Sequence, residues 1–213
     1  MAAQVPSDRS VFRGPAGSIE VAAYMPSEIA PRAIAVVAHP HPLFGGTMDN
    51  KVVTTIARTM FDAGAAVFRF NFRGVGNSEG VHDEGRGETE DMLSVISHAR
   101  AAAASDTLPL WLAGFSFGGA VTLAASERAT AHEMVLVAPA FQRIAHWANV
   151  QNGGSPPAST LLIHGENDET VPLADSMDWA RSRDMAVTVV PGADHFFHMR
   201  LHIIKRLVAG QLR

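Results

Sequence analysis

Three short segments of this chain hold residues that could act together as a nucleophile and its activators. In "LWLAGFSFGGAV", Ser116 stands between Gly114 and Gly118, a G-x-S-x-G that directly follows a β-rich run and precedes a helical one. A sharp strand-to-helix turn at such a site strains the serine backbone and lifts its hydroxyl above the sheet edge. Glycines two residues to either side avoid the collisions a Cβ would make with neighbouring backbone. The helix N-terminus favours negative charge developing nearby. A blander reading makes this a glycine-rich connection in which the serine only caps a helix, so its partners matter.

A serine hydroxyl is a weak nucleophile until a base takes its proton and a third group orients that base. For a serine on a strand-to-helix elbow, the expected chain order is Ser, then Asp or Glu, then His. "LLIHGENDETVP" puts Asp168 in a loop just past a strand-like run, and "VTVVPGADHFF" puts His195 just past the next. Both then fall at the carboxyl ends of parallel strands, on the same edge as Ser116, where open α/β sheets gather their chemistry. Neutral His195 would accept the serine proton, and Asp168 would hold its tautomer. Glu166 or Glu169 could instead be the acid, Asp168 could cap a helix before Pro172, and Asp194 could cap the last helix.

These segments, with "HPHPLFGG" and "NFRGVGNSEG", resemble an α/β-hydrolase, most closely the small capless serine esterases related to dienelactone hydrolases. The resemblance runs from about Val11 to Leu207. It implies an α/β fold: a central, mostly parallel eight-stranded sheet flanked by helices on both faces, with no cap domain. Dienelactone hydrolases use a cysteine nucleophile and this chain has no cysteine, so lactone chemistry does not carry over. In the resembling fold, the loop after the first parallel strand often reads H-G-x-P, its x residue supplying an oxyanion N–H. His41 of "HPHP" matches x.

Acyl transfer needs two preorganised donors for its oxyanion, each worth about 3 kcal/mol in the transition state. One is expected from the N–H of Phe117, the residue after the serine. Pro40 and Pro42 have no N–H, which leaves His41 or, as the alternative, Leu43. His39 is expected to hold this loop through a side-chain hydrogen bond. Phe44, Phe115 and Phe117 are expected to line a shallow, open pocket for small or medium acyl groups. The expected activity is hydrolysis of small-molecule carboxylic esters, and the same groups could serve thioesters, lactones or amides.

Two rivals belong to other classes. The histidines His39, His41, His195, His198 and His202 raise a metallohydrolase, with His198 and His202 expected on one helix face. Yet no H-E-x-x-H occurs and a metal leaves Ser116 without a role, so neither metal nor cofactor is expected. A non-catalytic hydrolase-fold binding module should show a degenerate set, and this one is complete. His82, His98, His132 and His146 read as surface or structural residues. Arg73 is expected to pair within its own loop or to face an acidic substrate, and "HDEGRGETED" to be a solvated run at a helix start.

The elements that must position these residues alternate as short β-rich and helical runs, as in a mostly parallel α/β fold. "SVF" near Val11 should pair with "SIEVAAYM", and the apolar run Ala33–His39 suits a strand covered on both faces. Helices are expected over Asp49–Asp62, about Thr89–Ala103, Gly118–Arg128, from near Pro172, and from about Phe197. Residues 1–213 read as a single domain, with 1–9 a flexible N-terminal segment. The excursion from Ala140 to Ala158 is too short for a cap domain.

Composition sets outer limits. The chain is 47% hydrophobic with a net charge of −4, which gives no electrostatic footprint for nucleic acid or anionic lipid. It has no basic leader and no apolar run near the ~20 residues of a membrane span, so it reads as cytoplasmic. Nothing in the sequence separates a monomer from a homodimer.

Overall fold

The computed structural model describes residues 8–144 and 156–212. Strand β1 (Asp8–Gly14) pairs antiparallel with β2 (Gly17–Tyr24), Val11 standing opposite Glu20. There follow β3 (Ala33–Ala38), α1 (Lys51–Asp62), β4 (Ala65–Phe70), α2 (Arg86–Ala102), β5 (Leu110–Phe115) and α3 (Phe117–Ser126). The chain continues through β6 (Glu133–Val137), β7 (Thr160–Gly165), α4 (Leu173–Arg181), β8 (Thr188–Val190) and α5 (Leu201–Gln211). The eight strands form one sheet in the order β1-β2-β4-β3-β5-β6-β7-β8, parallel from β4 to β8.

Strands β3, β4 and β5 are buried along their whole length because helices cover both faces. Side chains alternate between those faces with the two-residue period of a strand. Val36, Phe68, Leu112 and Leu136 pack against α2 and α3, with Trp179 of α4. Val37, Val67, Trp111 and Val135 pack against α1 and α5 through Val53, Ile56, Ile204 and Val208. The parallel strands therefore end on one edge, and the loops leaving β3, β5, β6, β7 and β8 meet there.

Several boundaries differ from the sequence reading. Of the segment 1–9, residues 1–7 lie outside the described residues, while Asp8 and Arg9 already belong to β1, where Arg9 donates to Asp49. Helix α2 starts at Arg86 because Glu88 accepts from the N–H groups of Gly85 (2.8 Å) and Asp83 (2.9 Å), which ties the chain down early. The acids of this run are not all solvated: Glu88 and Asp91 are buried. Arg73 neither pairs within its loop nor faces a ligand, since Asp91 of α2 takes its Nε and Nη2 at 2.9 and 2.8 Å. Helix α5 starts four residues later than expected, Phe197 and Met199 having positive φ of 53° and 59°. His198 precedes that helix and pairs with Asp194, so His198 and His202 do not share a helix face. His146 and most of the Ala140–Ala158 excursion lie outside the described residues. Among the described residues, no helix is long and apolar enough to cross a membrane.

Candidate active site

Ser116 sits between β5 and α3 with φ 56°. Its N–H donates to Val137 O (2.9 Å), and its carbonyl accepts from Gly119 (2.9 Å) and Ala140 (3.0 Å), so β6 and its loop hold the strained residue. The flanking glycines have specific causes. A Cβ on Gly114 would lie 2.2 Å from Gly118 O, and one on Gly118 would lie 2.4 Å from His39 O.

The loops after β7 and β8 bring Asp168 and His195 to the same place. A carboxylate can only accept, so His195 Nδ1–H donates to Asp168 Oδ2 at 2.7 Å. That leaves Nε2 to accept from the Ser116 hydroxyl at 3.1 Å. Asp168 Oδ1 accepts from the N–H groups of Thr170 (2.9 Å) and Val171 (2.8 Å). Glu166 is engaged elsewhere, accepting from Gly192 N–H (2.7 Å), and Asp194 holds His198.

A fourth side chain escaped the sequence reading. His164, the penultimate residue of β7, is fully buried, and its Nε2–H is shared between Val171 O (3.0 Å) and Asp168 Oδ2 (3.3 Å). Its Nδ1 accepts from Ser176 Oγ (2.8 Å). Burial opposes ionisation of Asp168, but hydrogen bonds from His164, His195 and the Val171 N–H outweigh it and hold the carboxyl well below the usual carboxylate range. The signal available in sequence was the four-residue spacing of His164 and Asp168 at a strand end.

In the loop after β3, His39 is buried and bridges two segments. Its Nε2 accepts from Phe72 N–H (3.0 Å), so the proton is on Nδ1, which donates to Pro40 O (2.6 Å). Burial pushes its pKa down to about 4, and the ring stays neutral. The Leu43 N–H is engaged by the ring of His41 (3.3 Å), whereas the His41 N–H meets no acceptor among the described residues. Gly46 is required where the loop closes, since a Cβ there would lie 2.1 Å from Pro40 O.

A cavity of about 240 Å³ opens beside Ser116, with His41, Phe44, Phe117, Arg143 and Phe196 in its walls. Phe44 is exposed at the cavity, while Phe117 borders it with its side chain fully buried, its ring 4.8 Å from that of His41. Phe115, expected in the wall, does not line it. It is fully buried behind the ring of His195, 4.9 Å away between centroids, because the residue before the serine points to the opposite face of β5. Phe196 was missed, although it adjoins His195 in sequence; Arg143 had no sequence signal. Among the described residues, no three His, Asp or Glu side chains gather as a metal-binding group.

Residues 30–157, well over half of the chain, match the family model described as serine aminopeptidase, S33, a hydrolase family. The chain belongs to the α/β-hydrolase family. A lid-less α/β serine hydrolase from Xanthomonas campestris is 35% identical, with a TM-score of 0.87 over 99% of this chain and 95% of that one. An α/β serine hydrolase homologue from Coxiella burnetii is 34% identical, with a TM-score of 0.87 over the whole of both chains. An uncharacterized protein of Rickettsia prowazekii is 32% identical, covering 94% of this α/β hydrolase and 87% of its own length.

Proposed function

We propose that this α/β hydrolase is a serine carboxylesterase for esters of small or medium acyl chain. The observation that carries the reading is one imidazole with both edges engaged: His195 faces Ser116 Oγ through Nε2 and Asp168 Oδ2 through Nδ1. Ser116 Oγ attacks the ester carbonyl carbon while its proton passes to His195 Nε2. The tetrahedral oxyanion is received by the N–H groups of Phe117 and His41. Collapse breaks the bond to the alcohol oxygen, which leaves with the proton from His195. Water, deprotonated by His195, then attacks the acyl-serine and releases the acid. Asp168 stays ionised throughout and stabilises the imidazolium. None of these steps calls for a metal or other cofactor.

The matched family's description names an aminopeptidase, and the same groups could cleave amides, thioesters or lactones. Recognition of a substrate's free α-amino group needs a carboxylate in the cavity, and no described lining residue is Asp or Glu. That favours the ester reading. A fluorophosphonate probe should label Ser116 of the folded protein. Ser116→Ala should lower kcat by several orders of magnitude, ~10⁶ at most. p-Nitrophenyl esters from acetate to decanoate, a thioester and an anilide should rank with short esters fastest. No labelling, or rates equal to Ser116→Ala across the whole panel, would overturn the reading in favour of a binding module.

A further inference from the structure

The wall of the cavity beside Ser116 has a chemical bias. Apart from Ser116 and His195, its polar side chains among the described residues are His41, Asn50, Arg143 and Thr170. Asn50 Oδ1 already accepts from Val52 N–H (2.8 Å), which leaves the amide N–H groups to give. The His41 ring accepts from Leu43 N–H on Nδ1, so the proton of the neutral ring is on Nε2. Burial is the main cause holding that ring towards the neutral form, followed by the neighbouring His82 and Arg143, with Glu88 opposing. Arg143 ends a 3₁₀ turn, Phe141–Arg143, directly after the segment whose Ala140 N–H grips Ser116 O.

Thus, among the described residues, three of the four side chains offer N–H donors, one carries a full positive charge, and no lining residue is acidic. The nearby carboxylates are otherwise engaged or set apart. Asp168 lies behind His195, and Glu88 accepts from the N–H groups of Gly85 and Asp83. Asp175 shares an adjoining hollow with Arg143 but makes no ion pair with it.

We infer that the cavity selects esters that carry a carboxylate, held by Arg143 with Asn50 and His41 as further donors. The inference rests on the ester-hydrolase reading of Ser116. A planar guanidinium suits a carboxylate in two-point contact, and it keeps its charge at every pH the protein meets. The chain's net charge of −4 repels an anion only weakly at a distance, because salt screens it beyond ~8 Å. Inside the cavity the local positive charge governs.

The test uses pairs of esters that differ only by carboxylate against neutral carboxamide. Monoethyl adipate against ethyl adipamate puts the acid on the acyl side; 4-acetoxybutanoate against 4-acetoxybutanamide puts it on the alcohol side. Hydrolysis is followed by pH-stat and corrected for the spontaneous rate. In at least one pair, kcat/KM of the wild-type protein should favour the acid about fivefold at low ionic strength, the scale of an exposed ion pair. That preference should fall with added salt, disappear in Arg143→Gln, persist in Arg143→Lys, and reverse towards an amine-bearing ester in Arg143→Glu. Turnover of the neutral esters without preference for either acid, or a preference that survives Arg143→Gln, overturns the inference and leaves the ester-hydrolase reading standing. No turnover of any ester above Ser116→Ala overturns both.

Discussion

His164 and Asp168 stand four residues apart on the β7 edge, and the imidazole Nε2 of the first lies 3.3 Å from the carboxylate Oδ2 of the second, both side chains fully buried. The same oxygen takes the Nδ1–H of His195. Asp168 is therefore gripped from behind by a ring that does not line the cavity, and in the proposed mechanism His164 would be a positioning residue. Replacing it by Leu removes that grip, and kcat should fall about ten- to a hundredfold, as for a misplaced reacting group. KM should move little. His164→Gln can offer a donor near the lost Nε2 and should recover part of the rate. Equal losses in Leu and Gln variants of matched thermal stability would show that only packing is at stake.

The same contacts set a pH window for stability. The folded-state pKa of Asp168 lies below its ordinary value of 3.8, so ionised Asp168 stabilises the fold above about pH 4. That contribution is lost as pH falls below this point, where the unfolded chain takes up the proton first. Asp168→Asn should accordingly be less stable than wild type at pH 7, with the gap closing only below about pH 4. Urea melts between pH 7 and 2.5 measure this. A gap that narrows between pH 7 and 5 would assign the effect to another group.

What the sequence made legible follows from period and punctuation. A continuous apolar run marked β3 and short β-rich runs marked the later strands, and Ser116, Asp168 and His195 each follow one of the parallel strands, whose ends share an edge. The misreadings share a different cause, contact between residues remote in sequence. Arg73 reaches Asp91 eighteen residues on, so an acid that looks solvated in the string is buried. His164 shows its place at a strand end, but not the Val171 carbonyl that settles its tautomer or the Ser176 hydroxyl that then donates to its other nitrogen. Phe115 was placed by proximity to Ser116, whereas the alternation of a strand sends it to the other face. Arg143 ends a short 3₁₀ turn with no periodic signal.

The glycines at the elbow differ from those in open loops, and mutation should separate them. Gly118→Ala brings a Cβ within 2.4 Å of His39 O and 2.6 Å of Ala38 O, both backbone atoms that cannot swing aside. The cost should be on the order of 3 kcal/mol, with activity lost as the loop proposed to supply an oxyanion donor is pushed away. Gly45→Ala meets no atom within 4 Å and suffers only the strain of φ 77°, about 1 kcal/mol. Chemical denaturation of the two variants checks the order, and equal losses would contradict the packing argument.

Activity should be indifferent to chelators. Three of the five histidines that could suggest a metal are already engaged: His39 by Phe72 and Pro40, His198 by Asp194, His195 by Asp168 and Ser116. Prolonged dialysis against EDTA or 1,10-phenanthroline should leave ester hydrolysis unchanged. A loss restored by added zinc would move the chemistry from Ser116 to a metal-bound water.

His39 supplies a second and separate pH window. Its pKa falls from 6.5 to about 4 on folding because the buried ring cannot hold a charge, although its hydrogen bond to Pro40 O opposes the shift. Between these values the unfolded chain binds a proton that the folded one refuses, so stability decreases as pH falls through the window and is fully present above about pH 6.5. The decrease attributable to this one ring is on the order of 3 kcal/mol. His39→Gln, which cannot titrate, should be less stable at pH 7 for want of one or both loop contacts, yet its stability should decline more gently from pH 7 to 4. Because the Phe72 N–H and Pro40 O anchors also hold the loop proposed to supply the His41 N–H, kcat should drop with them. A Gln variant with the same slope as wild type would show that this imidazole accepts its proton inside the fold.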